Sequence, residues 1–371
     1  TNKCNLRCNY CLRNLEQEEN CISTEKLRDI GKFITTYCDE YKIANISVQA
    51  WGGEPLLEKN KIIALTKFIT PQKTKVHYSI ETNATLLTND VIEELYKNHI
   101  GIGISIDGDR KCHDLQRTFV SGKGSYDTVK KNLLQAQRYY KNKIGTITTI
   151  TKQTAVHIEK IIEHLVLDLH ISNIKLNFVH ASTYTHGQNQ CLNTQEIADT
   201  ELRILYKIIE LQERGYDVME HNIFIKLKNL LFREYADICL SCGCCGGEKM
   251  IVFDMDGNIY PCELTDDASF VIGSIYKKES LIEQIKMTID KDKAFFKMKK
   301  AVECEKCYWK FFCRGGCTVR ALSEKRQMEV IDIDHIECAI NQVLYPALME
   351  LVLRKPHIVN QMLGEDLLVD E

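Results

Sequence analysis

Between Thr24 and about Gly215, short runs rich in β-branched residues alternate with longer segments whose apolar residues recur every three to four positions. The short runs Asn45–Trp51, Lys75–Glu81, Gly101–Asp107, Lys143–Ile150 and Asn173–His180 read as strands. The segments Thr24–Tyr41, Glu58–Ile69, Thr88–His99, Ser125–Lys141, Thr154–Leu169 and Thr194–Arg214 have the period of amphipathic helices. Ser23 or Thr24, Thr88 or Asn89, and Ser125 stand where a helix wants a cap. Strand–helix alternation predicts an α/β fold with a parallel sheet and helical crossovers. A flat doubly wound sheet and an open or closed barrel share this pattern.

The second constraint is cysteine. The 371 residues hold 17, in clumps. With 44% hydrophobic residues, a chain this long can build a core without disulfide staples. Metal ligation in a reducing compartment accounts for the clumps better. Cys4, Cys8 and Cys11 have the spacing C-x3-C-x2-C, with Tyr10 before the last. Three such thiolates can hold three irons of a cubane cluster and leave the fourth open, whereas iron–sulfur clusters are otherwise held by four cysteines. A zinc knuckle needs a fourth ligand, and no further Cys or His lies close by.

The length suggests two domains. A net charge of −3 gives no electrostatic reason for a nucleic-acid partner. No run of eighteen apolar residues predicts a membrane span, and no signal peptide precedes the first motif. The expected location is the cytoplasm of an anaerobe.

Several motifs follow predicted strands. Trp51-Gly52-Gly53-Glu54-Pro55 offers two glycines for close backbone approach and a carboxylate for an ammonium group. Glu81-Thr82-Asn83 and Ser105-Ile106-Asp107-Gly108 end the next two strands; alone, they are turn chemistry. His113-Asp114, Arg117 and Gly122-x-Gly124-Ser125-Tyr126 come next. Near Asn222–Tyr235 the strand–helix rhythm stops. Cys239, Cys242, Cys244 and Cys245 precede a hairpin signal, Asp256-Gly257, whose returning strand ends at Tyr260-Pro261-Cys262-Glu263. Cys304-x2-Cys307-x5-Cys313-x3-Cys317 and a distal Cys338 complete the field. A zinc ribbon would leave too many of these unused. Cys21, Cys38, Cys112 and Cys191 are scattered and read as buried thiols.

The first cysteine motif resembles the signature of radical S-adenosylmethionine (SAM) enzymes. The second field resembles their SPASM-domain branch, which contains anaerobic sulfatase-maturating enzymes and maturases of ribosomally made peptides. The resemblance implies a partial (β/α)6, TIM-like barrel over residues 1–222, with chemistry at the C-terminal ends of its strands. The motif starts so early that the barrel's first strand is expected to be missing. A small cysteine-rich SPASM domain would occupy 223–345, and a short helix with an acidic tail 346–371. No peptide-binding module is expected before the barrel.

Three [4Fe-4S] clusters are implied. Cys4, Cys8 and Cys11 would hold the SAM-binding one. Cys262, Cys317 and two of Cys239, Cys242, Cys244 and Cys245 would hold the first auxiliary cluster, with Cys242 and Cys245 preferred. Cys304, Cys307, Cys313 and Cys338 would hold the second. Tyr10, Gly52, Gly53, Glu54, Pro55, Asn83, Ser105 and Arg117 are the implied SAM contacts: the Gly-Gly-Glu-Pro turn for the amino group, Ser105 for the ribose, Arg117 for the carboxylate. The family often reads Thr-Asn-Gly where this chain has Thr82-Asn83-Ala84. Glu263 stands where sulfatase maturases carry an aspartate general base; its bland reading is a solvated loop carboxylate.

The implied activity is reductive cleavage of SAM to a 5′-deoxyadenosyl radical that abstracts hydrogen, with the protein supplying position and exclusion. The leading expectation is a peptide or protein maturase forming a crosslink such as a thioether. The alternative is oxidation of a sulfatase Cys or Ser to formylglycine with Glu263 as base. A non-catalytic multi-cluster electron carrier is the reading of another class, and the Gly-Gly-Glu-Pro turn speaks against it. Implied partners are a peptide or protein substrate and a reducing protein such as flavodoxin or ferredoxin.

Overall fold

The computed structural model describes residues 1–11, 20–141, 143–179, 190–233, 246–265, 268–290, 302–325 and 333–364. The strands are β1 (Leu6–Cys8), β2 (Asn45–Ala50), β3 (Lys75–Thr82), β4 (Ile100–Ser105), β5 (Arg117–Phe119), β6 (Gly145–Ile150), β7 (Asn173–Phe178), β8 (Met219–Glu220), β9 (Val252–Phe253), β10 (Asn258–Tyr260) and β11 (Gly273–Ser274).

Six of them form one parallel sheet in the order β2-β3-β4-β6-β7-β8. Each new strand joins the same edge. A doubly wound sheet reverses its strand order, and this one does not. Register places Ile80 beside Ile102, Ile104 beside Thr146, and Thr148 beside Leu176. These positions form one face, where Ile80, Ile102, Ile104, Ile150, Ile174 and Leu176 are buried in the main core under the helices. The alternate positions carry Gln49, His77, Glu81, Ser105, Thr149 and Asn177, none of them buried. A parallel sheet covered on both faces reads as continuous apolar runs. Here the alternation leaves one polar face open.

Helices Thr24–Glu40, Asn89–Lys97 and Tyr126–Tyr140 start after Ser23, Thr88 and Ser125, and Ser23 accepts from Lys26 N. The helix expected over Thr154–Leu169 is broken. Lys152–Ala155 is set early by Thr151, whose side chain and that of Thr154 form a capping box. Ile158–Glu163 follows, and the chain then widens into a π turn at His164–Asp168. There His164 is held between the Tyr126 hydroxyl and Asp168, each at 2.7 Å. Short strands were not legible: β1 pairs antiparallel with β5, Cys8 opposite Arg117, and β8 adds two residues beside β7.

The hairpin at Asp256-Gly257 forms as expected, with Gly257 at φ +82°, in a small antiparallel sheet ordered β11-β10-β9. Ile259 of this sheet, with Ile272 just before β11 and Leu281 at the start of the following helix, packs against Phe33 and Tyr37 of the helix Thr24–Glu40. Pro346, expected to open a separate C-terminal segment, lies inside the helix His335–Arg354. Its ring forfeits a helix hydrogen bond, but Leu344, Leu348 and Leu351 on either side are anchored in the main core. By length and composition this helix could span a membrane; in the fold its apolar face is used against the core. A last helix, Pro356–Leu363, packs into the same core.

Candidate active site

The segment Thr1–Cys11 lies across the C-terminal ends of β2, β3 and β4. Gly53 N and Glu54 N donate to the carbonyls of Thr1 and Lys3 at 2.9 and 2.7 Å. Gly52 has φ +149°, and a Cβ there would sit 2.0 Å from the Thr1 oxygen; one on Gly53 would sit 2.0 Å from the Lys3 oxygen. The backbone that needs this room is therefore the chain's own N-terminal segment. Glu54 is fully buried, and its carboxylate is taken up inside the protein. It accepts from Leu56 N at 3.0 Å, Thr82 Oγ1 at 2.6 Å and Asn83 N at 2.8 Å. Its carboxylate ties the loop after β2 to the end of β3. Pro55, itself buried, opens the turn Pro55–Glu58.

Asn83 Nδ2 reaches Asn5 Oδ1 at 2.9 Å and Cys4 Sγ at 3.9 Å. Ala84, where the family often has glycine, adopts the glycine-like φ of 58°. Ser105 ends β4, half-buried on the open face.

Asp107, completely buried, is the hub. Its Oδ2 accepts from the Tyr10 hydroxyl at 2.7 Å, Arg117 Nε at 2.9 Å and Gln116 Nε2 at 3.0 Å; its Oδ1 accepts from Thr149 N at 3.0 Å. The Arg117 guanidinium lies 5.4 Å over the Tyr10 ring and 3.9 Å from Cys8 Sγ. Burial opposes the Arg117 charge, but Asp107 wins and keeps its pKa raised. His113 Nδ1 lies 3.2 Å from Asp107 N, its Nε2 meets Ser125 Oγ at 2.9 Å, and Ser125 donates to the Arg117 carbonyl at 2.8 Å. Accepting from Asp107 N assigns the proton to Nε2. Burial pushes the His113 pKa down to about 4, so the ring is neutral. Asp114 accepts from Tyr126 N at 2.8 Å, and a Cβ on Gly124 would collide with its carboxylate at 2.3 Å. The two sequence motifs on either side of Arg117 thus form one bracket around it.

Cys4, Cys8 and Cys11 are all half-buried. Burial pushes the Cys8 thiol up to about 12; the neighbouring Cys11 and Cys4 add to this, while Arg117 opposes it. Cys8 thus feels both other thiols, while among the described residues no three Cys, His, Asp or Glu side chains stand close enough to hold a single metal ion. Leu6 N at 3.5 Å, Asn83 and Arg117 aim N–H groups at Cys4 and Cys8. Donors of this kind suit thiolates bound to iron and tune a cluster.

In the C-terminal segment, Cys304, Cys307, Cys313 and Cys338 line one partly open cavity with Trp309, Asn341 and Gln342. Four thiols around a shared space, with Gln342 Nε2 3.6 Å from Cys307 Sγ, are a donor set that fits a cubane cluster. Cys262 is buried in the turn after β10, and Glu263 beside it is half-buried. Cys317 N donates to Asp334 at 2.7 Å. Cys239, Cys242, Cys244 and Cys245 lie outside the described residues. Of the scattered cysteines, Cys38 and Cys112 are buried as expected. Cys21 and Cys191 are only half-buried, and Cys21 Sγ accepts from Lys61 at 2.9 Å.

Residues 1–165 match the radical SAM superfamily. A cysteine-type anaerobic sulfatase-maturating enzyme of Clostridium novyi (strain NT) is 26% identical over 327 residues, covering 85% of each chain. The solved structure of native anSMEcpe with bound AdoMet and Cp18Cys peptide is 22% identical, with a TM-score of 0.81 over 95% of this chain and 96% of that one. Streptococcus suis SuiB bound to precursor peptide SuiA is 16% identical, with a TM-score of 0.64 over 91% of this chain and 74% of that one. At these identities the two structural likenesses speak for a shared α/β fold.

Proposed function

Residues 1–165 are a radical SAM domain, and from that premise we propose that the chain is a maturase acting on a residue of a ribosomally made peptide, with a crosslink such as a thioether as product. The observation that carries this is the loop of Cys4, Cys8 and Cys11 under the Asn83 and Arg117 donors, beside the open polar face of the sheet. A [4Fe-4S] cluster held there, with SAM, would supply one-electron cleavage of the sulfonium and hydrogen abstraction from an unactivated carbon. This chain's residues supply placement. Asp107 fixes Tyr10 and Arg117, and leaves Arg117 a permanent cation beside Cys8 for a carboxylate. Glu54 and the two glycines pin the cysteine loop to β2 and β3. The open face, with Ser105, Thr149 and Asn177, is where a peptide would be received.

The fold is read as a partial (β/α)6 barrel. A SPASM unit follows from about residue 223, and the helix His335–Arg354 returns onto the barrel. Cys304, Cys307, Cys313 and Cys338 would hold one auxiliary cluster, Cys262 and Cys317 part of another. A small reducing protein such as flavodoxin or ferredoxin would deliver electrons in the cytoplasm.

Two measurements test the reading. Under dithionite the reconstituted protein should convert SAM to 5′-deoxyadenosine, and a Cys4/Cys8/Cys11→Ala variant should not; turnover in that variant would end the proposal. The second reading, oxidation of a sulfatase cysteine to formylglycine with Glu263 as base, is favoured by the likeness to the Clostridium novyi enzyme. Mass spectrometry of a treated cysteine peptide separates the two: a thioether keeps the sulfur, and formylglycine replaces it with oxygen.

A further inference from the structure

A buried ion network stands behind the cysteine-lined cavity of the C-terminal segment. Lys226, on the helix His221–Phe232, has a side chain 1% exposed and pairs with Glu337, itself 3% exposed. Lys226 Nζ also donates to Asn341 Oδ1 at 2.6 Å, and Asn341 Nδ2 returns to Glu337 at 3.1 Å. The same Nζ lies 5.6 Å over the ring of fully buried Tyr345, on which Trp309 stacks at 5.2 Å. Asn341 and Trp309 both line the cavity, and Glu337 precedes Cys338 in the chain. Arg320 bonds Asp334 at 2.6 and 2.9 Å and Glu337 at 3.3 Å. Two cations thus face two carboxylates, all with little access to water.

We propose that Lys226 is a positioning residue for this cavity: acting through Glu337 and Asn341, it holds the wall that carries Cys338 and supplies the buried positive charge that raises the reduction potential of the cluster bound there. The inference rests on the reading that Cys304, Cys307, Cys313 and Cys338 ligate a cluster. The physics is charge balance. Reduction adds an electron in a poorly hydrated site, where a nearby cation stabilises the reduced form and charge is weakly screened. Without Lys226, Glu337 and Asp334 are left with one cation, and the added electron is disfavoured. Burial opposes the Lys226 charge, but Glu337 overcomes it and the pKa is raised, so the ammonium persists.

The test uses the full chain, reconstituted anaerobically, with iron analysis and potentiometric titration followed by electron paramagnetic resonance. Variants are Lys226→Met, Lys226→Met/Glu337→Gln, which removes a charge of each sign, and Cys304→Ala/Cys307→Ala. The cysteine variant identifies the signal of the cluster in question; if it keeps wild-type iron, the underlying ligand reading fails, separately from the role of Lys226. Lys226→Met should keep its iron and shift that one signal to lower potential, leaving the others in place. The double variant should return toward the wild-type potential. The proposal is overturned by an unchanged potential in Lys226→Met, by an equal shift in both Lys226 variants, or by loss of that cluster's iron in both, which would make the lysine a folding requirement only.

Discussion

At the scale of single residues, the cysteine motifs were legible and the polar support around them was not. Cysteine spacing is a local property, so C-x3-C-x2-C and the later field are visible in the chain itself. The Asp107 hub draws donors from residues 10, 116, 117 and 149, a convergence that no local pattern records; Gln116 and Thr149 carry no sequence signal at all. Arg117 is fixed by Asp107 from within the fold before any ligand arrives. Asp107→Asn should therefore destabilise the fold by roughly 3–5 kcal/mol, the cost of stranding a buried partner, and weaken SAM binding at least tenfold in equilibrium dialysis. Wild-type affinity in a stable Asp107→Asn variant would contradict this. A second residue-scale expectation concerns Glu201. It is 4% exposed, and its pKa is raised to about 8, first by burial and then by Glu220 and Glu337, against Lys226. A raised carboxyl pKa means the folded state holds a proton that the unfolded state has lost. Stability from this group is thus intact below the unfolded pKa and declines as pH rises toward 8. Glu201→Gln removes the titration, so its stability relative to wild type should grow from pH 5.5 to 7.5, by at most about 1.4 kcal/mol per pH unit. Urea unfolding at the two pH values reads the difference.

At the scale of elements, strands β2, β3, β4, β6 and β7 were legible because parallel strands here carry isoleucine and threonine on the covered face. Their alternation also says that the other face is open, a stronger statement than strand identity. The short β1–β5 pair and the two-residue β8 were missed because they are defined by partners rather than by composition. The early start at Lys152 is set by a cap that local apolar periodicity hides. The Gly-Gly turn was read as room for close backbone approach, and residues 1–3 lie against it. Gly53→Ala should therefore act on the cysteine loop. A Cβ 2.0 Å from the Lys3 oxygen forces that segment off β2, so about four irons per chain should be lost while far-ultraviolet circular dichroism stays unchanged. Full iron retention in Gly53→Ala would show that the loop docks without this contact.

At the scale of the whole molecule, the sheet and the cysteine-rich segment differ in what holds them. Most of the sheet and its helices share one large apolar core, to which Leu344, Leu348, Leu351 and the helix Pro356–Leu363 also belong, and the helix Thr24–Glu40 packs on β2 in a second, smaller cluster. Residues 303–321 contribute little to the apolar core: Tyr308 and Phe311 are 92% and 73% exposed, while Ala321 is buried. A segment with so little apolar burial needs another source of order, and metal ligation is one, because binding free energy to a site absent from the unfolded chain is folding free energy. The helix His335–Arg354 spans the two regimes. Its first turn carries Cys338 at the cavity with Glu337 beside it in the chain, and its later turns lie in the core. Removal of iron by a chelator under oxidising conditions should therefore unfold the molecule regionally. Amide exchange should rise by orders of magnitude over residues 302–320 and in the first turn of this helix, where local opening would no longer be opposed. The six strands and residues 344–363 should keep their protection, since their burial does not involve a thiol. Uniform loss of protection would mean that the clusters hold the whole fold together; unchanged exchange at 302–320 would mean that the buried Lys226–Glu337–Arg320–Asp334 network orders the segment without metal.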